Sequence, residues 1–97
     1  MTKIVTKRLI VHGRVQGVYY RTWSTETATQ LGLYGWVQNN ADGTVEIIVA
    51  GTEDRIDHFI ADCHEGPLAA QVKKVSVRDA DDIDTKDLTS FSILQTA

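Results

Sequence analysis

The densest chemistry in the sequence lies in Gly13-Arg14-Val15-Gln16-Gly17-Val18-Tyr19-Tyr20-Arg21, a glycine-bracketed segment closed by an arginine. Backbone N–H groups in such a turn can converge on one concavity. A helix starting behind it adds partial positive charge, and together these favour a bound anion. Arg21 would complete that site with a planar, permanently charged fork suited to phosphate oxygens. The segment lacks the Gly-Lys-Ser/Thr ending of a P-loop and the spacing of a dinucleotide fingerprint. Glycine and arginine alone therefore leave a plain structural turn as an equal reading. Other reactive residues have weaker claims. His12 adjoins the segment, yet a strand histidine beside a loop reads first as a structural hydrogen-bonder. His58 and His64 lie six apart on one helix, do not share a face, and read as surface residues. Cys63 falls on an apolar stripe and reads as a core residue rather than a nucleophile. Trp23, Trp36, Tyr19 and Tyr20 read as core or pocket-rim aromatics rather than base-stacking platforms.

The elements that must hold these residues follow from the punctuation of the chain. Lys7 to His12 (KRLIVH) is a β-branched run ended by Gly13, hence a first strand. Arg21 to Leu31 is helical by its length and its Gly32 stop, although its five Thr and Ser residues are poor helix formers. Tyr34 to Gln38 reads as a strand, Asn39 to Gly43 as a turn containing an Asp-Gly signal, and Thr44 to Ala50 as the hairpin partner. Ile56, Phe59, Ile60 and Cys63 fall at i, i+3, i+4 and i+7 and mark a second helix. Thr52 is its expected N-cap, Glu53 and Asp54 suit its positive start, and Gly66-Pro67 ends it. Val72 to Val77 reads as a fourth strand, Asp79 to Lys86 as a solvated loop, and Phe91 to Leu94 as a short closing strand.

Crossover connections are nearly always right-handed, and a hairpin between two of them places the third strand between the first and second. The fold class expected is α+β: a ferredoxin-like split βαβ sandwich with two helices packed on one face of an antiparallel four- to five-stranded sheet. In such a unit the first and second strands point the same way. The loop after the first and the residues ending the second then meet at one edge of the sheet.

Ninety-seven residues make a single domain, 1–97, and 42% apolar against 24% charged residues argues against disorder. A net charge of −3 disfavours nucleic acid or an anionic membrane as partner. The charge is unevenly spread. Lys3, Lys7, Arg8, Arg14 and Arg21 supply half of the ten cations before any acid appears, whereas Asp79, Asp81, Asp82, Asp84 and Asp87 surround Lys86. A lone Cys63 forms no internal disulfide, and no Cys pair or Cys/His array has zinc spacing. No apolar run approaches the roughly 20 residues of a membrane span, and Met1 to Leu9 lacks a signal-peptide core. The chain reads as a cytoplasmic monomer.

Val11-His12-Gly13-Arg14-Val15-Gln16-Gly17-Val18, followed by Tyr19-Tyr20-Arg21, closely resembles the signature of the acylphosphatase family. Gly32-Leu33-Tyr34-Gly35-Trp36-Val37-Gln38-Asn39, with Asp42-Gly43-Thr44-Val45 behind it, resembles that family's other signature at the expected separation. The two span Val11 to Val45, and the remaining element pattern fits the family's whole length. The resemblance implies an acylphosphatase, which hydrolyses the carboxyl–phosphate bond of acyl phosphates to carboxylate and orthophosphate. It further implies that Gly13, Arg14, Val15, Gln16, Gly17, Val18 and Tyr19 form the phosphate cradle. Arg21 would bind the phosphoryl oxygens and Asn39 would position the attacking water, neither being expected in the core. Asn39 also suits a hairpin turn, and Asn40 beside it is a rival; the motif selects Asn39. Many relatives carry Thr or another small residue where Asn40 stands.

The implied reaction demands little machinery. The carboxylate leaving group departs without a proton from the enzyme, and the loose transition state asks mainly for positioning and charge stabilisation. No metal or cofactor is expected. The competing class is a non-catalytic module on the same scaffold. RNA binding would call for a basic sheet face with an aromatic pattern that the sequence lacks, and a metal carrier would need a cysteine pair in the first loop. A carbamoyl-phosphate-binding regulatory domain of a larger protein is a further alternative, against which a chain of 97 residues reads as a free-standing enzyme. No second pocket motif specifies the acyl group.

Overall fold

The computed structural model describes residues 3–94. Its elements run β1 (Ile4–Arg14), α1 (Tyr20–Gln30), β2 (Tyr34–Asn39), β3 (Val45–Thr52), α2 (Glu53–Glu65), β4 (Gln71–Asp79) and β5 (Phe91–Ile93). The five strands form one sheet in the order β4-β1-β3-β2-β5, with β3 between β1 and β2 as the split βαβ pattern requires. Both helices lie on one face of the sheet, α1 over β2 and β5, α2 over β3 and β4. The expected antiparallel pairing holds for β1–β3, β1–β4 and β2–β3. β5 departs from it, running parallel to β2 with Gly35 opposite Phe91 and Val37 opposite Ile93. The sheet is therefore mixed.

Alternation along the strands builds the core. Leu9, Val11, Val37, Val45, Ile47 and Val49 are fully buried and pack with Ala28, Ile56, Phe59 and Cys63 of the helices. The α2 stripe is placed as its spacing predicts, and Phe59 meets Phe91 edge-on at 6.2 Å between ring centres. Thr52 occupies the N-cap with extended backbone but makes no side-chain capping bond, so Glu53 and Asp54 in the first turn carry the stabilisation of that end. α1 buries only Tyr20, Ser24 and Ala28. Its hydroxyls, a liability by propensity, bond back onto the helix: Ser24 Oγ and Thr25 Oγ1 donate to the Arg21 carbonyl at 3.0 and 2.8 Å, and Thr27 Oγ1 to the Trp23 carbonyl at 2.9 Å.

Two of the boundaries that differ from the sequence reading do so for reasons of pairing, and β2 extends through Asn39, which the sequence reading puts in the turn. β1 does not stop at Gly13, because Gly13 and Arg14 continue the ladder opposite Val72 and Gln71 beyond a bulge after His12. Gly13 sits there at φ 127, and a Cβ on it would lie 2.2 Å from the Gln71 carbonyl oxygen. The acidic segment is not simply a solvated loop either. Asp79 ends β4 and pairs with Lys7, Ala80 is buried with its N–H on the Thr6 carbonyl at 3.0 Å, and the Thr85 hydroxyl lies 3.4 Å from that of Thr6. Among the described residues no helix is long and apolar enough to cross a membrane.

Candidate active site

Register places the two motifs side by side. Val11 pairs with Val45, and Val45 with Asn39, so one line across β1, β3 and β2 joins the last residues before the loop to the end of β2. Residues 15–19 form that loop and lead into α1. Gly17 holds φ 73 with open space where a side chain would be, leaving its backbone accessible. Tyr19 is the one non-glycine residue with positive φ among the described residues, at φ 65, and it forms the left-handed N-cap of α1. Its carbonyl accepts the Trp23 N–H at 2.9 Å. The first turn of α1 carries no acid, so nothing offsets the partial positive charge of that helix start.

The loop, α1, β2 and β5 enclose a cleft of about 450 Å³. The loop contributes Val15, Gly17 and Tyr19; α1 contributes Tyr20, Arg21 and Thr22; β2 contributes Asn39 and β5 contributes Ile93. Arg21 and Asn39, distant in sequence, thus face one space. Arg21 is half-buried. Asn39 is more buried than expected, 8% exposed, because it lies two residues beyond Val37 on the helix-facing side of β2. Its Oδ1 is buried without a hydrogen-bond partner among the described residues. An unpaired buried acceptor is costly, and here it belongs to a side chain lining the cleft.

The cradle residues divide. Val15, Gly17 and Tyr19 line the cleft. Gly13 and Arg14 belong to β1 and face β4 instead, and Val18 is buried in the core. Gln16 turns away and clamps the β2–β3 hairpin: its Nε2 donates to the Asn40 carbonyl at 2.7 Å and the Thr44 carbonyl at 2.9 Å. Asn40 projects to the opposite side of the strand from Asn39. There its Nδ2 donates to Thr44 Oγ1 and Glu46 Oε1, both at 3.1 Å, and its Oδ1 accepts from Gln38 at 3.2 Å. Asp42 closes the hairpin by accepting from the Thr44 hydroxyl at 2.6 Å and the Thr44 N–H at 3.0 Å, bonds that hold its carboxyl below the usual carboxylate value.

Of the remaining candidates, Cys63 and the three histidines stand outside the cleft lining. Cys63 is fully buried, and burial pushes its thiol up to about 12, which suppresses the reactive thiolate. The Tyr20 hydroxyl donates to the Cys63 carbonyl at 2.7 Å, and burial raises its pKa well above the usual phenol value. His12 is half-buried opposite Lys74, and His58 and His64 are exposed on α2. Among the described residues no group of three or more His, Cys, Asp or Glu is arranged to hold a metal ion. A larger cavity, about 640 Å³, lies between the acidic segment and the start of β2 at Tyr34, away from Arg21 and Asn39. Thr22 and Ile93 have no motif signal; α1 phasing exposes the former, and only the parallel β2–β5 pairing brings the latter in.

Residues 7–93 match the acylphosphatase family profile. Over 75 residues the chain is 47% identical to an acylphosphatase of Rhizorhabdus wittichii, covering 77% of this chain and 76% of that one. It is 49% identical over 76 residues to an acylphosphatase of Acidovorax sp., covering 78% of each. The crystal structure of acylphosphatase from Bacillus subtilis superposes with a TM-score of 0.86 at 34% identity, covering 95% of this chain and 99% of that chain. Full-length HypF in a phosphate- and nucleotide-bound form contains a similar unit, with a TM-score of 0.86 at 28% identity over 12% of its length. With both motifs brought to one cleft, the chain belongs to the acylphosphatase family and is an enzyme that hydrolyses acyl phosphates.

Proposed function

We propose that the cleft between the 15–19 loop and the end of β2 is the catalytic centre, with Arg21 binding the phosphoryl oxygens and Asn39 orienting the attacking water. The observation that carries this reading is that Arg21 and Asn39, whose buried Oδ1 has no hydrogen-bond partner among the described residues, line one cleft. Loop amides around Gly17 and the acid-free start of α1 supply further positive potential for the phosphate.

The roles follow from chemistry. In hydrolysis the water oxygen forms a bond to phosphorus while the bond from phosphorus to the acyl oxygen breaks, and the carboxylate leaves with the electron pair. The nucleophile and leaving group lie roughly in line, with charge spread over the equatorial oxygens, where a guanidinium and oriented N–H groups act. Asn39 is too weak a base to deprotonate water; an amide oxygen accepting one of its hydrogen bonds fixes its line of attack. Among the described residues the cleft lining holds no carboxylate, His or Cys, so the step is read as one without a resident metal; the enzyme itself is read as a cytoplasmic monomer.

Arg21→Ala is expected to lower kcat/KM for benzoyl phosphate by about 10³-fold or more, the scale of arginine contributions to phosphoryl transfer. Asn39→Ala is expected to reduce kcat with a smaller change in orthophosphate affinity. Circular dichroism should show both variants folded. Substantial retained turnover in either one overturns its assignment.

A further inference from the structure

The loop backbone and Arg21 account for the phosphate, and two apolar side chains that also line the cleft have no part in holding it. Tyr19 is 82% exposed although its left-handed backbone, φ 65, is one that bulky residues rarely adopt. Ile93 is 45% exposed and enters the same cleft from β5. Arg21 is the one cation lining the cleft among the described residues, Thr22 adds only a hydroxyl, and no lining residue is a carboxylate. With Arg21 committed to the phosphoryl group, no lining charge remains among the described residues for a second anion.

We propose that Tyr19 and Ile93 form the acyl-side wall of the cleft, and that it selects acyl phosphates with apolar, above all aromatic, acyl groups over those carrying a second anionic group. The inference rests on the phosphate orientation proposed above. With the phosphoryl group held at the loop and Arg21, the acyl group leaves the cleft past these side chains. An aromatic or aliphatic acyl group buries apolar surface against a ring and a branched chain. A carboxylate or second phosphate at that position would lose hydration without gaining a partner.

The test compares kcat/KM of the full chain for benzoyl, acetyl and succinyl phosphate, with the inhibition constant of orthophosphate measured alongside. Tyr19→Asn removes the ring but suits a left-handed backbone, and Ile93→Thr removes apolar surface but stays β-branched. Each is expected to lower the benzoyl-to-acetyl ratio of kcat/KM about 2- to 10-fold, the scale of one aromatic or apolar contact, whereas Tyr19→Phe keeps it. Ile93→Arg is expected to raise the succinyl-to-acetyl ratio by a similar factor. Ratios unmoved in both Tyr19→Asn and Ile93→Thr overturn the wall, and a succinyl-to-acetyl ratio unmoved by Ile93→Arg overturns the charge selection. A wild-type protein whose hydrolysis orthophosphate does not inhibit would instead overturn the phosphate site on which the inference stands.

Discussion

Gln16 shows how a side chain outside the cleft can govern one within it. Its single amide group spends both hydrogens on carbonyls that flank the turn after Asn39, so the loop that carries Gly17 and the strand end that carries Asn39 are fixed to each other. Removing two such bonds costs roughly 1 to 3 kcal/mol, and part of that cost should appear as misplacement of the water-holding group. Gln16→Ala is expected to lower kcat for benzoyl phosphate about tenfold with little change in KM. Gln16→Glu should do worse, because a carboxylate would face two carbonyl oxygens. A raised KM with unchanged kcat would instead place Gln16 with phosphate binding. The sequence singled out Gln16 as a cradle residue without showing which way it turns, since the direction depends on a hairpin 24 residues further along.

At the scale of elements, the β2–β3 hairpin holds a carboxylate that makes it sensitive to pH. Asp42 is held below its ordinary value of 3.8, first by the Thr44 hydroxyl and then by the Thr44 N–H. A depressed folded value means that the ionised carboxylate stabilises the turn at pH above the unfolded value. That contribution is lost as pH falls from about 3.8 through the lower folded value. Asp42→Asn should therefore lower Tm at neutral pH and flatten its acid dependence; parallel curves for the two proteins would show that the turn does not sense Asp42. Elements with an internal pattern were legible in the sequence. α2 carried its stripe, β2 and β3 flanked an Asp-Gly turn signal, and Gly13 to Arg21 and Asn39 stood in recognisable strings. What depended on partners was not legible. Gly13 and Arg14 are strand residues only because β4 lies beside them, and the direction of β5 has no local signal in three residues.

Over the whole molecule, a net charge of −3 and a site for a small anion are compatible because a phosphoryl group senses a few ångströms, not the surface average. Orthophosphate is the ligand that tests this. At about 100 times its dissociation constant it should stabilise the fold by roughly 2.7 kcal/mol. In a domain of this size that corresponds to a Tm rise on the order of 10 °C. Arg21→Ala should abolish most of the shift, and an equal shift in that variant would locate the anion elsewhere. The parallel β2–β5 pairing bears also on the order in which such a molecule assembles. The cradle and Asn39 lie within one βαβ stretch and meet through the pairing of β1 and β2 with β3. Ile93 joins them only by closing a loop of more than fifty residues, from Asn39 to Ile93. Long-range closures of this kind form late in folding. A refolding chain should thus regain its grip on phosphate before it regains its choice of acyl group, and the enzyme would pass through an indiscriminate youth.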